Sequence, residues 1–231
     1  MNESSSNARG ATASRRSFLR RSAVPAAAAV AIPAFLARGA REALAGMPRK
    51  LTGLAAILIH EVLSDEKQHV PILQNLLDDS GNPLPVKIRP APNFNLKRLI
   101  QPNLQAFLET AAGFENTGSG FYGGSLINIT QTPEYFPTAV GLCTVESRHA
   151  SWLNSLLGQA LVPNFVPVEA PIPQGTVLSR VAEFVTDARS TFPAFDTTVV
   201  TDANNFFILD FLLFLEYIES KFYEVNVPRF T

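Results

Sequence analysis

Apolar residues recur at three- and four-residue steps in four stretches of the chain, and each apolar stripe is broken near its middle by a glutamate. The first stretch covers about residues 51–77 and repeats at Ala55, Ile59, Val62, Glu66, His69 and Leu73. The second, about 102–120, places Leu104, Leu108, Ala111, Glu115, Gly118 and, just beyond it, Tyr122 on one face. The third, about 137–157, aligns Ala139, Leu142, Glu146, His149, Leu153 and Leu156. The fourth, about 202–225, aligns Phe206, Leu209, Leu213, Glu216, Ser220 and Tyr223. This period predicts four amphipathic helices. Pro71 predicts a kink in the first, Gly158 a stop after the third, and Pro228 a stop after the fourth. Residues 176–189 form a weaker amphipathic stretch. No run alternates strictly, so no sheet is expected. Pieces such as residues 121–130, FYGGSLINIT, read as short segments within connections. The pattern therefore predicts an all-α fold.

A buried carboxylate costs several kcal/mol unless it is paired or binds a metal. One such glutamate reads as an ion pair. Four of them, on inward faces with almost no lysine or arginine, cannot all be paired that way. The chain has three histidines, and two of them, His69 and His149, stand three residues after a glutamate on an apolar face. That spacing sets both donors on one side of a helix, less than a turn apart. A lone histidine there reads as a hydrogen-bonded core residue; two matched Glu-x-x-His pairs with Glu115 and Glu216 read as ligands. Two metal ions would neutralise the carboxylates. A shell of oxygen and imidazole suits iron or manganese. His60 lacks the spacing and reads as a surface or packing residue.

With 46% hydrophobic residues in 231, the chain is long enough for one sizeable core. Its net charge is -1, and it lacks a basic stripe with interleaved aromatics, which excludes a nucleic-acid partner. The one cysteine, Cys143, forms no intrachain disulfide and reads as a small core residue; Trp152 reads as packing. Near the start, Ser14-Arg15-Arg16-Ser17-Phe18-Leu19-Arg20 precedes a mildly apolar run, residues 23–37, and a small-residue site, Ala43-Leu44-Ala45 before Gly46. This is the layout of a twin-arginine export signal over residues 1–45. Pro25 and Pro33 interrupt the run and argue against a membrane anchor. The expectation is a mature domain over residues 46–231, periplasmic or secreted, with no stable membrane span after cleavage.

The helices resemble the ferritin-like superfamily. Glu115 and Tyr122, and Glu216 and Tyr223, resemble the E-x6-Y halves of its rubrerythrin and ferritin signature, and Glu66-x-x-His69 and Glu146-x-x-His149 resemble the other halves. The wording is similar to that of exported bacterial ferritin-like domains and plant desiccation-related proteins, in "LDFLLFLEYIESKFY", "SDEKQHVPIL", "FENTGSGFYGG" and "VESRHASWL". The resemblance implies a ferritin-like four-helix bundle that takes one glutamate from each of two helices and Glu-x-x-His from the others. It implies that Glu66 and Glu146 bridge two Fe or Mn ions. Glu115 and Glu216 would then be terminal carboxylates, His69 and His149 would each hold one ion, and Tyr122 and Tyr223 would be donors behind the ligands or redox-active neighbours.

Glu219, three residues past Glu216, reads as a partner of Lys221 or an acid behind the ligands, and Asp65 and Glu61 as solvent-facing or behind the ligands. One departure is large, because the element that opens the family order stands last here. The order implies a circularly permuted bundle, with long crossovers over residues 78–102 and 158–201, or a swapped dimer; a homo-oligomer stays open. The expected function is redox chemistry on peroxide, dioxygen or ferrous iron. The alternative is a non-catalytic, stress- or desiccation-associated structural or metal-binding protein.

Overall fold

Among the described residues of the computed structural model (49–79, 88–129, 133–187, 192 and 201–231), helices account for all regular structure apart from one isolated bridge. They are α1 (Gly53–Asp79), α2 (Leu96–Leu99), α3 (Leu104–Ile129), α4 (Phe136–Leu156), α5 (Gln174–Val181) and α6 (Asp202–Phe230), with a 3₁₀ turn at Pro163–Phe165. The all-α class is the expected one, and α1, α3, α4 and α6 are the four apolar-striped stretches. None of the helices is long and apolar enough to cross a membrane. The segment read as an export signal lies outside the described residues.

The four long helices pack as two pairs, α1 with α6 and α3 with α4, and α3 also packs on α6. The start of α1 is tied to the end of α6. The Leu51 amide donates to the Phe230 carbonyl at 2.7 Å, and Lys50 Nζ donates to the Thr231 carbonyl at 2.7 Å. His60, on the exposed side as expected, stands 3.1 Å from Thr231 Oγ1. These ties make α1 and α6 antiparallel, with α6 of the same chain closing the bundle. Thr201 caps α6, its hydroxyl accepting from the Asn204 amide at 3.2 Å.

Two long connections cross the bundle and clamp α6. The first leads from α1 to α3. Its Arg89 donates from the backbone and from Nε to the Asp210 carboxylate at 3.0 and 2.8 Å, with the guanidinium 4.2 Å from the Phe192 ring. Further on, the Gln101 amide donates to Asn226 Oδ1, and Asn226 Nδ2 donates to the Leu99 carbonyl, both at 2.9 Å. The second connection leads from α4 to α6 and lies on α3. The Ile172 amide donates to the Gly120 carbonyl at 3.1 Å, and a Cβ at Gly120 would meet Ile172 Cδ1 at 2.7 Å, so a larger residue there would have to push the Ile172 side chain aside. The connections meet at the Phe94–Val185 bridge. With both lying on it, α6 is buried nearly all round.

The elements differ from the sequence expectation in length. α3 runs on to Ile129, so residues 121–129 are helical rather than part of a connection. Phe121, Tyr122, Ser125, Asn128 and Ile129 are buried there, and this packing outweighs the weak helix propensity of Gly123 and Gly124. α6 continues through Pro228 to Phe230, its last turn held by Leu51. α1 is a single helix through Pro71. The stretch expected over 176–189 is helical over Gln174–Val181.

Candidate metal centre

Glu66 and His69 on α1, Glu115 on α3, Glu146 and His149 on α4 and Glu216 on α6 converge at mid-bundle. The four carboxylates are 0% exposed, and the histidines are 4% and 8% exposed. Each helix brings its donors inward because they lie on its apolar stripe. His69 Nδ1 lies 3.4 Å from Glu66 Oε2 and 3.2 Å from both Glu146 Oε1 and Glu216 Oε2. His149 Nδ1 lies 3.1 Å from Glu66 Oε1 and 3.3 Å from Glu115 Oε2. The two rings stack at 6.4 Å. The donors form two overlapping sets, each within 4.8 Å: Glu66, Glu115, Glu146 and His149, and Glu66, His69, Glu146 and Glu216. Glu66 and Glu146 belong to both.

The tyrosines cross over. Tyr122 on α3 donates to Glu216 Oε1 on α6, and Tyr223 on α6 donates to Glu115 Oε1 on α3, each at 2.5 Å. Each phenol therefore serves the glutamate of the other helix, leaving that carboxylate's second oxygen to face a histidine. Burial first, then the adjacent glutamates, push both phenols well above their usual range, so they remain proton donors.

Burial and the Glu115 carboxylate push Glu66 up to about 7. Burial and the Glu66 carboxylate drive Glu146 well above the usual carboxylate range. Burial acts the same way on Glu216, but the neighbouring His69 outweighs it and holds Glu216 below its ordinary value. Burial works against charge on His149, yet Glu115 and Glu66 raise it to about 11; burial opposes charge on His69 too, and Glu216 and Glu146 overcome it. Without metal, both imidazoles carry protons.

The donor set is short of hydrogen. His69 gives its one Nδ1 hydrogen to Glu216. Both oxygens of Glu66 and of Glu146, Glu115 Oε2 and His149 Nδ1 are buried without a hydrogen bond. Each such atom costs about 1–3 kcal/mol in an apolar interior. Asp210 shows the contrast: it is equally buried, and Arg89 serves both its oxygens. Cations would satisfy the orphaned oxygens, and His149 Nδ1 once its proton has left, so the residues present fit a metal pair.

The family model described as a ferritin-like domain matches residues 15–159, more than half of the chain. The chain belongs to the ferritin-like domain family. The match in this ferritin-like domain begins within the segment read as an export signal and ends before α6, the helix that carries Glu216 and Tyr223. No curated protein and no solved structure matches the chain.

Two further residues of this ferritin-like domain belong to the centre, and the sequence pattern placed neither firmly. Glu219 is 2% exposed, and burial followed by the Glu146 carboxylate drives its carboxyl well above the usual range. It is not the partner of Lys221, which pairs with Glu224 at 2.9 Å. Ser220, expected on the inward stripe, is only half-buried. Because α6 is covered on nearly every side, its apolar period does not single out the face that meets the donors. A Cβ at Gly118 would stand 2.8 Å from Glu146 Oε2, so this glycine makes room for that carboxyl, and Glu219 Oε1 lines the same gap at 3.5 Å. Asp65, half-exposed, places Oδ2 3.2 Å from His149 Nε2, whereas Glu61 is exposed. Cys143 and Trp152 are partly buried against the core, as packing residues are.

Proposed function

We propose that this protein is a dimetal carboxylate protein of iron or manganese that works outside the cytoplasm and carries out redox chemistry on peroxide, dioxygen or ferrous iron. The observation that carries the reading is the group of buried, orphaned oxygens on Glu66 and Glu146, which belong to both donor sets. Two such ions, when bound, would supply two-electron chemistry. In this reading Glu66 and Glu146 would help to hold both ions, Glu115 and His149 would complete one position, and Glu216 and His69 would complete the other. Tyr122 and Tyr223 keep Glu216 and Glu115 turned inward and hold a proton at each phenol oxygen beside the reacting volume. The surrounding core keeps bulk water away from the carboxylates.

Reconstitution with Fe(II) or Mn(II), removal of excess and elemental analysis test the reading. Two ions per chain are expected, and fewer than one sinks it. Oxygen evolution from peroxide by the manganese form, or accelerated oxidation of added Fe(II), then separates the activities. Two bound ions without turnover would leave the non-catalytic alternative. Export rests on residues 14–20, so Arg15→Lys with Arg16→Lys should retain the chain in the cytoplasm; unchanged export would exclude the twin-arginine route.

A further inference from the structure

The donor set has an approximate twofold relation. Exchanging α1 with α4 and α3 with α6 maps Glu66 onto Glu146, His69 onto His149, Glu115 onto Glu216 and Tyr122 onto Tyr223. The contacts follow it: His69 to Glu216 at 3.2 Å matches His149 to Glu115 at 3.3 Å, and both tyrosine bonds are 2.5 Å. Two of the positions that depart from the relation lie against the donors. Asp65, just before Glu66, corresponds to Val145, just before Glu146. Gly118 corresponds to Glu219.

The two breaks act differently. Glu219 and Glu146 Oε2 flank the gap left by Gly118, so Glu219 adjoins a ligand that both positions share and does not distinguish them. Asp65 meets one histidine only. Its Oδ2 stands 3.2 Å from Nε2 of His149, the ring nitrogen turned away from the donors. The carboxylate contacts of His69 among the described residues are all at Nδ1. A carboxylate on the outer nitrogen fixes the tautomer and the ring orientation and makes the inner nitrogen a stronger ligand.

We infer that the two metal positions are unequal, with Asp65 as a positioning residue that makes the His149–Glu115 position bind first and more tightly than the His69–Glu216 position. This rests on the dimetal reading above. Loss of such an outer partner lowers metal affinity about 10- to 100-fold.

Calorimetric titration of metal-free protein with Mn(II) under nitrogen tests it. The native chain should show two resolved steps. Asp65→Asn should weaken the tighter step about 10- to 100-fold and leave the other within about threefold, with unchanged helix content by circular dichroism. Val145→Asp, at a half-buried position next to Glu146, should strengthen the weaker step. A single unresolved pair of equal sites in the native chain, or Asp65→Asn weakening both steps equally or neither, overturns the inference while leaving the dimetal reading in place. No binding by the native chain overturns both.

Discussion

Glu66→Gln separates the energetic cost of the carboxylate cluster from its use. A carboxyl raised from 4.5 to about 7 by burial and by Glu115 costs the fold about 3 kcal/mol once it is ionised. The folded chain holds that proton more tightly than the unfolded one. The cost is therefore absent below pH 4.5, grows as the pH passes from 4.5 towards 7, and is complete above. Glutamine keeps the shape and cannot ionise, but it buries an amide NH2 that faces a protonated imidazole and finds no acceptor, at about 1–3 kcal/mol. In chelator, the variant should be less stable than the native chain by about 2 kcal/mol at pH 4 and more stable by about 1 kcal/mol at pH 8. The difference in melting temperature should swing by roughly 6–12 °C across that range. With metal at a hundredfold its dissociation constant the order reverses at pH 8, because the native chain gains about 2.7 kcal/mol per ion and the variant loses a shared ligand. Thermal unfolding followed by circular dichroism at pH 4, 6 and 8 reads all of this. A difference in melting temperature that stays constant with pH would refute the argument, since a packing defect has no reason to titrate.

Three further outcomes follow from the same geometry. Metal uptake at pH 7 should release at least the two protons held on His69 and His149, both raised above that pH; calorimetry in buffers of different ionisation enthalpy counts them, and no release would mean the imidazoles are neutral beforehand. Asp210→Ala should cost about 1–3 kcal/mol by removing the two hydrogen bonds that clamp Arg89 to α6 while metal content per chain stays unchanged, which chemical denaturation and elemental analysis report; lost metal content with unchanged stability would contradict the division between clip and centre. A chain rebuilt with Thr231 joined to Arg49 through a short glycine linker, and opened between residues 187 and 201, should fold and take up as much metal as the native chain, because Leu51 and Phe230 already touch; failure to fold would argue against a permuted bundle.

The parts of the centre that share a helix were legible from spacing. Glu66 with His69 and Glu146 with His149 each stand at i, i+3 on an apolar face, and a carboxylate in such a stripe needs a reason. Contacts between helices left no such trace. Nothing local says that Asp65 meets His149 or that Tyr122 serves Glu216 rather than Glu115, because both contacts depend on how the helices are placed around the axis. Arg89 comes from a connection, and its pairing with Asp210 joins segments with no common period. Glu219 was ambiguous because the crossovers cover α6 on its outer side, so that helix has no polar face to orient it. The length of α3 was hidden by glycines that weaken helices in isolation and here admit a strap.

The position of α6 after the other three donor helices also sets a schedule. Glu66, His69, Glu115, Glu146 and His149 leave the ribosome well before Glu216 and Glu219, and Tyr223, the phenol that orients Glu115, comes later still. A chain that stops before residue 202 has one complete donor set and three of the four donors of the other, and Tyr122 has no acceptor. The second donor set is therefore incomplete until the helix that carries Glu216 has been made.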